Sequence, residues 1–354
     1  MSHSCLFLLL PHRALTALTR ILIVGVSAVT ALAAEPQLIP QLGDVADGVY
    51  QPQAMMVGGV VLPIYPADSA ELKRDRVGEA EEYRMAKDVP GRINQIVNIH
   101  NPSIEFHPAL KGGNTGATII LLPGGGHKTL NVAGGGTDFV PFFFNYGINC
   151  VIVRYRLRAD GYNAEVDAVK DVQQAIRLVR SHAKEWGLDP QKIGVMGFSA
   201  GGEPGAASAL YFERFDAENN QPDDPLAGVS SRPDFVGLIY TGPTPFRDEP
   251  ELEFPKNVPP VFIAGASYGN AQHTEWAMQY YLRMLRAGVP NIEAHLYGNG
   301  GHGGGLQDRR GIPFGTWQTR FIDWFRDLGF LGKSGVPTKA ATDIEAYVAK
   351  SKPE

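Results

Sequence analysis

The stretch from Ile193 to Gly202, I-G-V-M-G-F-S-A-G-G, constrains the fold more than any other part of the chain. Its apolar start, Ile193 to Met196, predicts a short strand, and the small residues from Gly202 to Leu210 predict a helix. Between them Ser199 is flanked by Gly197 and Gly201 in a G-x-S-x-G string. The string alone is common. Set between a strand and a helix it reads as a nucleophile elbow, a strained turn that holds the serine hydroxyl out for attack. Glycine is needed on either side because a side chain there would collide across the bend.

The chain has 354 residues, 44% hydrophobic and 19% charged, with a formal net charge of -5. That is an ordinary globular composition with no basic field for nucleic acid. Residues 1–34 differ: Arg13 and Arg20 precede an apolar run, Ile21 to Ala33, that ends in A-L-A-A. This predicts a secretory signal cleaved after Ala33 or Ala34 and an exported protein, periplasmic or secreted. The run is 13 residues long, short of the roughly 20 needed to span a bilayer, so no stable membrane insertion is expected after its removal. Cys5 lies in this leader and Cys150 in the apolar I-N-C-V-I-V, which leaves no internal disulfide.

Residues 35–91 show little regular pattern and a charged run from Glu71 to Lys87, and read as a surface extension. From Arg92 the rhythm changes. Strand patterns follow at Ile93 to His100, Ser103 to His107, Ala117 to Leu122, Asn149 to Tyr155, Asp234 to Tyr240, Pro260 to Ala264 and Ile292 to Tyr297. Apolar residues at Val166, Val169, Val172, Ile176, Val179 and Ala183 mark one helix face closed by Gly187. Further helices are expected at Glu275 to Ala287 and Trp317 to Leu328, and a short one near Asp343 to Val348. Alternating strands and helices imply an α/β domain over 92–332, with a mostly parallel sheet covered on both faces, and a tail over 333–354.

Ligands of such sheets bind beyond the carboxyl ends of the strands. After Leu122 comes P-G-G-G-H, where backbone N–H groups can approach a substrate closely. Gly125 and Gly126, with the N–H of Ala200, are the expected oxyanion donors. A phosphate-loop reading of Lys128-Thr129 fails, because His127 separates Gly126 from Lys128. His127 itself reads either as a substrate contact or as a structural histidine. After the last strand, G-N-G-G-H-G-G-G places His302 as general base, since this H-G-G-G follows the serine instead of preceding it. The acid that should orient His302 is less plain: the segment after Ala264 has no aspartate, and Glu275, Asn270 and Asp248 remain open, with Glu275 favoured. The nine histidines include no H-E-x-x-H and no Cys/His cluster, so neither a metal nor a cofactor is implied.

With P-G-G-G-H, G-F-S-A-G-G and G-G-H-G in this order, the chain resembles the α/β-hydrolase superfamily, and more narrowly the bacterial carbohydrate esterases of the acetylxylan and feruloyl esterase type. The resemblance covers roughly Ile93 to Leu331 and implies Ser199 as nucleophile, His302 as base, and Gly125, Gly126 and Ala200 around the oxyanion. It also marks two departures: Glu203 stands where relatives commonly have histidine after S-A-G-G, and Asn270 where they have aspartate. The expectation is a serine esterase acting on acylated carbohydrate or another small ester. The alternatives are a peptidase of the same fold and a non-catalytic sugar-binding relative with an incomplete triad.

Overall fold

The computed structural model describes residues 40–110, 112–306 and 311–350; the expected leader, residues 1–34, lies outside them. Among the described residues the strands are β1 (Val45–Ala46), β2 (Val49–Tyr50), β3 (Val60–Pro63), β4 (Glu82–Met85), β5 (Ile93–Val97), β6 (Ser103–His107), β7 (Thr118–Leu122), β8 (Asn149–Arg154), β9 (Ile193–Phe198), β10 (Val236–Ile239), β11 (Val261–Tyr268) and β12 (Glu293–Asn299). The α-helices are α1 (Val140–Phe144), α2 (Val169–Ser181), α3 (Ala183–Trp186), α4 (Gly202–Glu218), α5 (Ala271–Arg286), α6 (Trp317–Asp327) and α7 (Lys339–Lys350).

Eight strands form one sheet in the order β12-β11-β10-β9-β7-β8-β6-β3. From β12 to β8 every neighbouring pair is parallel; β6 runs antiparallel to β8 and β3 antiparallel to β6. Strands β7 to β10 are buried at every position. Burial of both strand faces explains why these segments read as continuous apolar runs instead of alternating ones. α2 buries Val172, Ile176 and Val179 and packs on α4. The small residues Gly205, Ala206 and Ala209 let α4 lie close over β9 and β10. Elsewhere Phe143 of α1 meets Phe321 of α6 edge-on at 6.0 Å.

The expected helix from 165 to 186 is in three parts: a π-turn over Ala164–Ala168, then α2, then α3. The break falls at His182, and Gly187 closes the run at φ +67°. α5 begins at Ala271, four residues before the expected start, with Asn270 at its cap position. The segment expected as a surface extension supplies β3 to the sheet edge and β4 to a hairpin with β5. It is also tied down by buried charge. Arg154 of β8, fully buried, donates to Glu81 at 3.0 Å, to Glu105 at 2.9 Å and to the Gln53 carbonyl. Burial alone would raise the Glu105 carboxyl, but His107, Arg154 and the Met55 N–H together hold it below its ordinary range. At the other end α7 docks through buried Ala340 and Ile344, and Tyr347 donates to the Ala287 carbonyl at 2.8 Å.

Candidate active site

β9 ends at Phe198, and Ser199 opens a 3-10 turn, Ser199–Gly201, that leads straight into α4. Ser199 has φ +53°, a left-handed conformation that costs a non-glycine residue about 1–2 kcal/mol. The neighbours account for the glycines. A Cβ on Gly201 would lie 2.0 Å from the Leu122 carbonyl oxygen, and one on Gly197 would lie 2.3 Å from that of Gly201. The elbow therefore closes only with hydrogen at both positions. Six described non-glycine residues have positive φ, and three of them, His127, Ser199 and Tyr240, follow strands at this end of the sheet. Strain concentrated in this way is the mark of a working site.

Ser199 Oγ and His302 Nε2 are 2.8 Å apart. His302 comes from the glycine-rich loop after β12, which is held from below: Tyr240 Oη donates to the Gly304 carbonyl at 2.8 Å, and the Tyr240 ring meets the His302 ring edge-on at 5.3 Å. On the far side His302 Nδ1 lies 2.9 Å from Asn270 Oδ1. An amide oxygen only accepts, so Nδ1 carries the proton and Nε2 is left free to accept from the serine. This is the tautomer that a base for Ser199 requires.

Asn270 thus takes the orienting position for which Glu275 was favoured. The reason lies in where α5 starts. Asn270 is the residue before the first turn, and its side chain, which makes no cap bond to its own helix, points to His302 instead. Glu275 lies beyond that turn on an exposed part of α5. Asp248 pairs with its neighbour Arg247, away from His302. Asn270 is buried, and its Nδ2 has no hydrogen-bond partner among the described residues. Enclosure of the His302 ring in the cleft wall, and then the neighbouring His273 with its ring centroid 3.9 Å away, lower the imidazole to about 4.

The loop after β7 runs over the serine. Gly125 has φ +138°, and a Cβ there would lie 2.0 Å from the Thr129 carbonyl oxygen, so only glycine fits. The N–H groups of Gly125 and Gly126 donate to no described acceptor, and both residues line the same cleft as Ser199 and His302. Ala200 is second in the 3-10 turn, where an N–H has no intrahelical partner. Tyr155 of the segment after β8 donates from Oη to the Pro123 carbonyl and fixes the start of the loop. His127 is buried beneath the loop with Nε2 3.1 Å from Glu203 Oε2, and is not among the cleft-lining residues. Glu203, one of the two departures from the resemblance, therefore faces the oxyanion loop from α4. Sequence reasoning missed Tyr155, Tyr240 and His273. The first two follow strand segments and carried that signal; His273 carried none. Among the described residues no three His, Cys, Asp or Glu side chains come together as metal ligands would.

A mostly parallel sheet with a serine elbow after β9, a histidine after β12 and a glycine loop after β7 is an α/β-hydrolase, and the chain has that fold. Residues 106–231 match the family described as BD-FAE. Among curated relatives, the acetylxylan esterase of Xylanibacter ruminicola is 27% identical over 228 residues, 61% of this chain and 45% of that protein. The endo-1,4-beta-xylanase B of Butyrivibrio fibrisolvens is 24% identical over 176 residues, 49% of this chain and 25% of that protein. The chain thus spans from a quarter to under half of the length of these relatives. The crystal structure of an acetyl ester-xyloside bifunctional hydrolase from Caldicellulosiruptor lactoaceticus has a TM-score of 0.59 at 23% identity, over 77% of this chain and 98% of the other.

Proposed function

We propose that this chain is an exported serine carboxylic ester hydrolase that removes acetyl or feruloyl groups from carbohydrate. The observation that carries the reading is the Ser199–His302 contact of 2.8 Å with Asn270 at the far nitrogen. Ser199 gives its proton to His302 Nε2 as Oγ attacks the ester carbonyl. The tetrahedral oxyanion is held by the N–H groups of Gly125, Gly126 and Ala200. The imidazolium then passes the proton to the departing sugar oxygen, leaving an acyl serine that water clears by the same steps in reverse. The match to the BD-FAE family and the similarity to an acetylxylan esterase support acylated carbohydrate as the substrate. The apolar run from Ile21 to Ala33 supports export. Among the described residues no helix is long and apolar enough to cross a membrane.

One observation favours a second reading. Asn270 brings no charge to stabilise the imidazolium, as a sugar-binding protein that has lost catalysis would show. A fluorophosphonate probe separates the two. Labelling of the wild type but not of Ser199→Ala, together with acetate release from acetylated oligosaccharide, is the expected result. An unlabelled, folded wild type would leave the binding protein.

A further inference from the structure

The cleft over Ser199 has a volume of about 850 Å³, toward the upper end of small-molecule sites and far more than an acetyl group fills. Part of its wall is the β4–β5 hairpin, which supplies Arg84 and Arg92; Lys128 lines the cleft from the loop after β7. The charge of this wall departs from that of the chain. Acidic residues outnumber basic ones overall, 37 to 32, yet among the described residues the charged ones that line the cleft are Arg84, Arg92 and Lys128 against Asp138. Arg92 meets Asp138 at 2.6 Å, and its Nε is buried without a hydrogen-bond partner among the described residues. Arg84 and Lys128 are exposed, and their side chains make no ion pair or hydrogen bond among the described residues. The strand register shifts between Arg84 and Met85, a bulge of the kind that re-aims a side chain.

Hydrolysis of a neutral ester needs none of these cations, because the backbone N–H groups hold the oxyanion. Asn94, Gln95 and Asn131, which also line the cleft, suit sugar hydroxyls. We propose that the wall formed by Arg84, Arg92 and Lys128 is a subsite for the carboxylate of an acidic sugar, so that the substrate is an acyl ester on a uronate-bearing oligosaccharide. This rests on the ester-hydrolase reading for the reaction, but not for the binding.

The test measures binding to Ser199→Ala by calorimetry, comparing a xylo-oligosaccharide that carries a glucuronic acid branch with the unbranched one of equal length. Two exposed ion pairs worth about three- to five-fold each predict roughly tenfold tighter binding of the acidic sugar at low salt. The preference should shrink toward unity near 1 M salt, where the screening length is about 3 Å. It should be lost in Arg84→Gln/Lys128→Gln and inverted by Lys128→Glu, each checked for folding by thermal melting. Equal affinities, or a preference that survives the double substitution, would overturn the proposal. Because Ser199→Ala has no nucleophile, a wild type that releases no acetate sinks the esterase reading and leaves this result standing. The ratio of kcat/KM on the acetylated forms of the two sugars tests both at once.

Discussion

A neutral amide behind His302 changes what the imidazole can do. Asn270 fixes the tautomer through a 2.9 Å contact, so the loss of about 10⁴ in kcat that follows from a wrongly protonated histidine does not apply. What it withholds is charge. A hydrogen bond to an ionised partner is about twice as strong as a neutral one, a difference of about 1–1.5 kcal/mol or roughly tenfold in rate. With His302 lowered to about 4 by its enclosure and then by His273, the base stays neutral at all higher pH. kcat/KM should therefore fall on acidification only through about pH 4, and not near the ordinary histidine value of 6.5. Asn270→Asp places a carboxylate at the start of α5, where the helix dipole favours its ionised form. That charge stabilises the imidazolium, so the acid limb of the profile should move up toward neutrality while kcat at pH 8 rises roughly tenfold. A pH profile left unmoved by the substitution would refute the orienting role of Asn270. Ser199 and His302 were legible because each follows a strand at a position glycine marks. The choice of Asn270 over Glu275 was not, because it turns on where a helix begins, and the strong pattern of α5 starts four residues after its first residue, Ala271.

At the scale of the element, the elbow and the oxyanion loop both depend on glycine, but for different reasons. Gly201 is a matter of space: the nearest atoms to its missing Cβ are the backbone of Leu122 and Pro123, all within 2.8 Å. Backbone at the end of a buried central strand cannot give way, so Gly201→Ala should cost about 2–3 kcal/mol of stability and abolish ester hydrolysis. Gly126 is a matter of angle: its φ is +63°, yet no atom lies within 4 Å of a Cβ there. Gly126→Ala keeps the N–H and should cost only about 1 kcal/mol, with turnover reduced and not lost. Thermal melts and hydrolysis of a nitrophenyl ester, run side by side, check the order; equal effects would mean that the two loops are not held as described. Proline at 126 is a poor probe of the oxyanion, because its φ near -65° cannot match the native value. The core strands β7 to β9 were readable from their apolar runs because both faces are buried. β3 and β4 were not, since each is four residues long, β3 half-buried and β4 mostly exposed, and what holds them is pairing, β3 to the distant β6 and β4 to the neighbouring β5.

The molecule as a whole is closed by charge that the sequence pattern presents as solvated. Residues 35–91, expected as a surface extension, send Glu81 and the Gln53 carbonyl to Arg154. The N–H groups of Met55 and Met56 donate to Glu105 at 2.7 and 3.0 Å. A second buried group lies beside it: Arg156 donates to Asp171 and to the Glu71 carbonyl at 2.8 Å, and Tyr65 donates to Asp171 at 3.0 Å. Arg154, Glu105 and Asp171 are fully buried, and breaking a buried charge pair from one side costs about 3–5 kcal/mol. Two such losses are comparable to the whole stability of a domain, about 5–15 kcal/mol. Loss of β3 also uncovers β6, buried along its full length. A chain that starts at residue 92, where the strand and helix rhythm begins, should therefore fail to fold, whereas one that starts at residue 40 should melt as the longer chain does. Near-ultraviolet circular dichroism and urea titration of the two proteins decide it. If the shorter chain unfolds cooperatively with an unchanged slope and midpoint, the buried arginines do not hold the fold together and residues 40–91 are the accessory segment that their irregular pattern suggests.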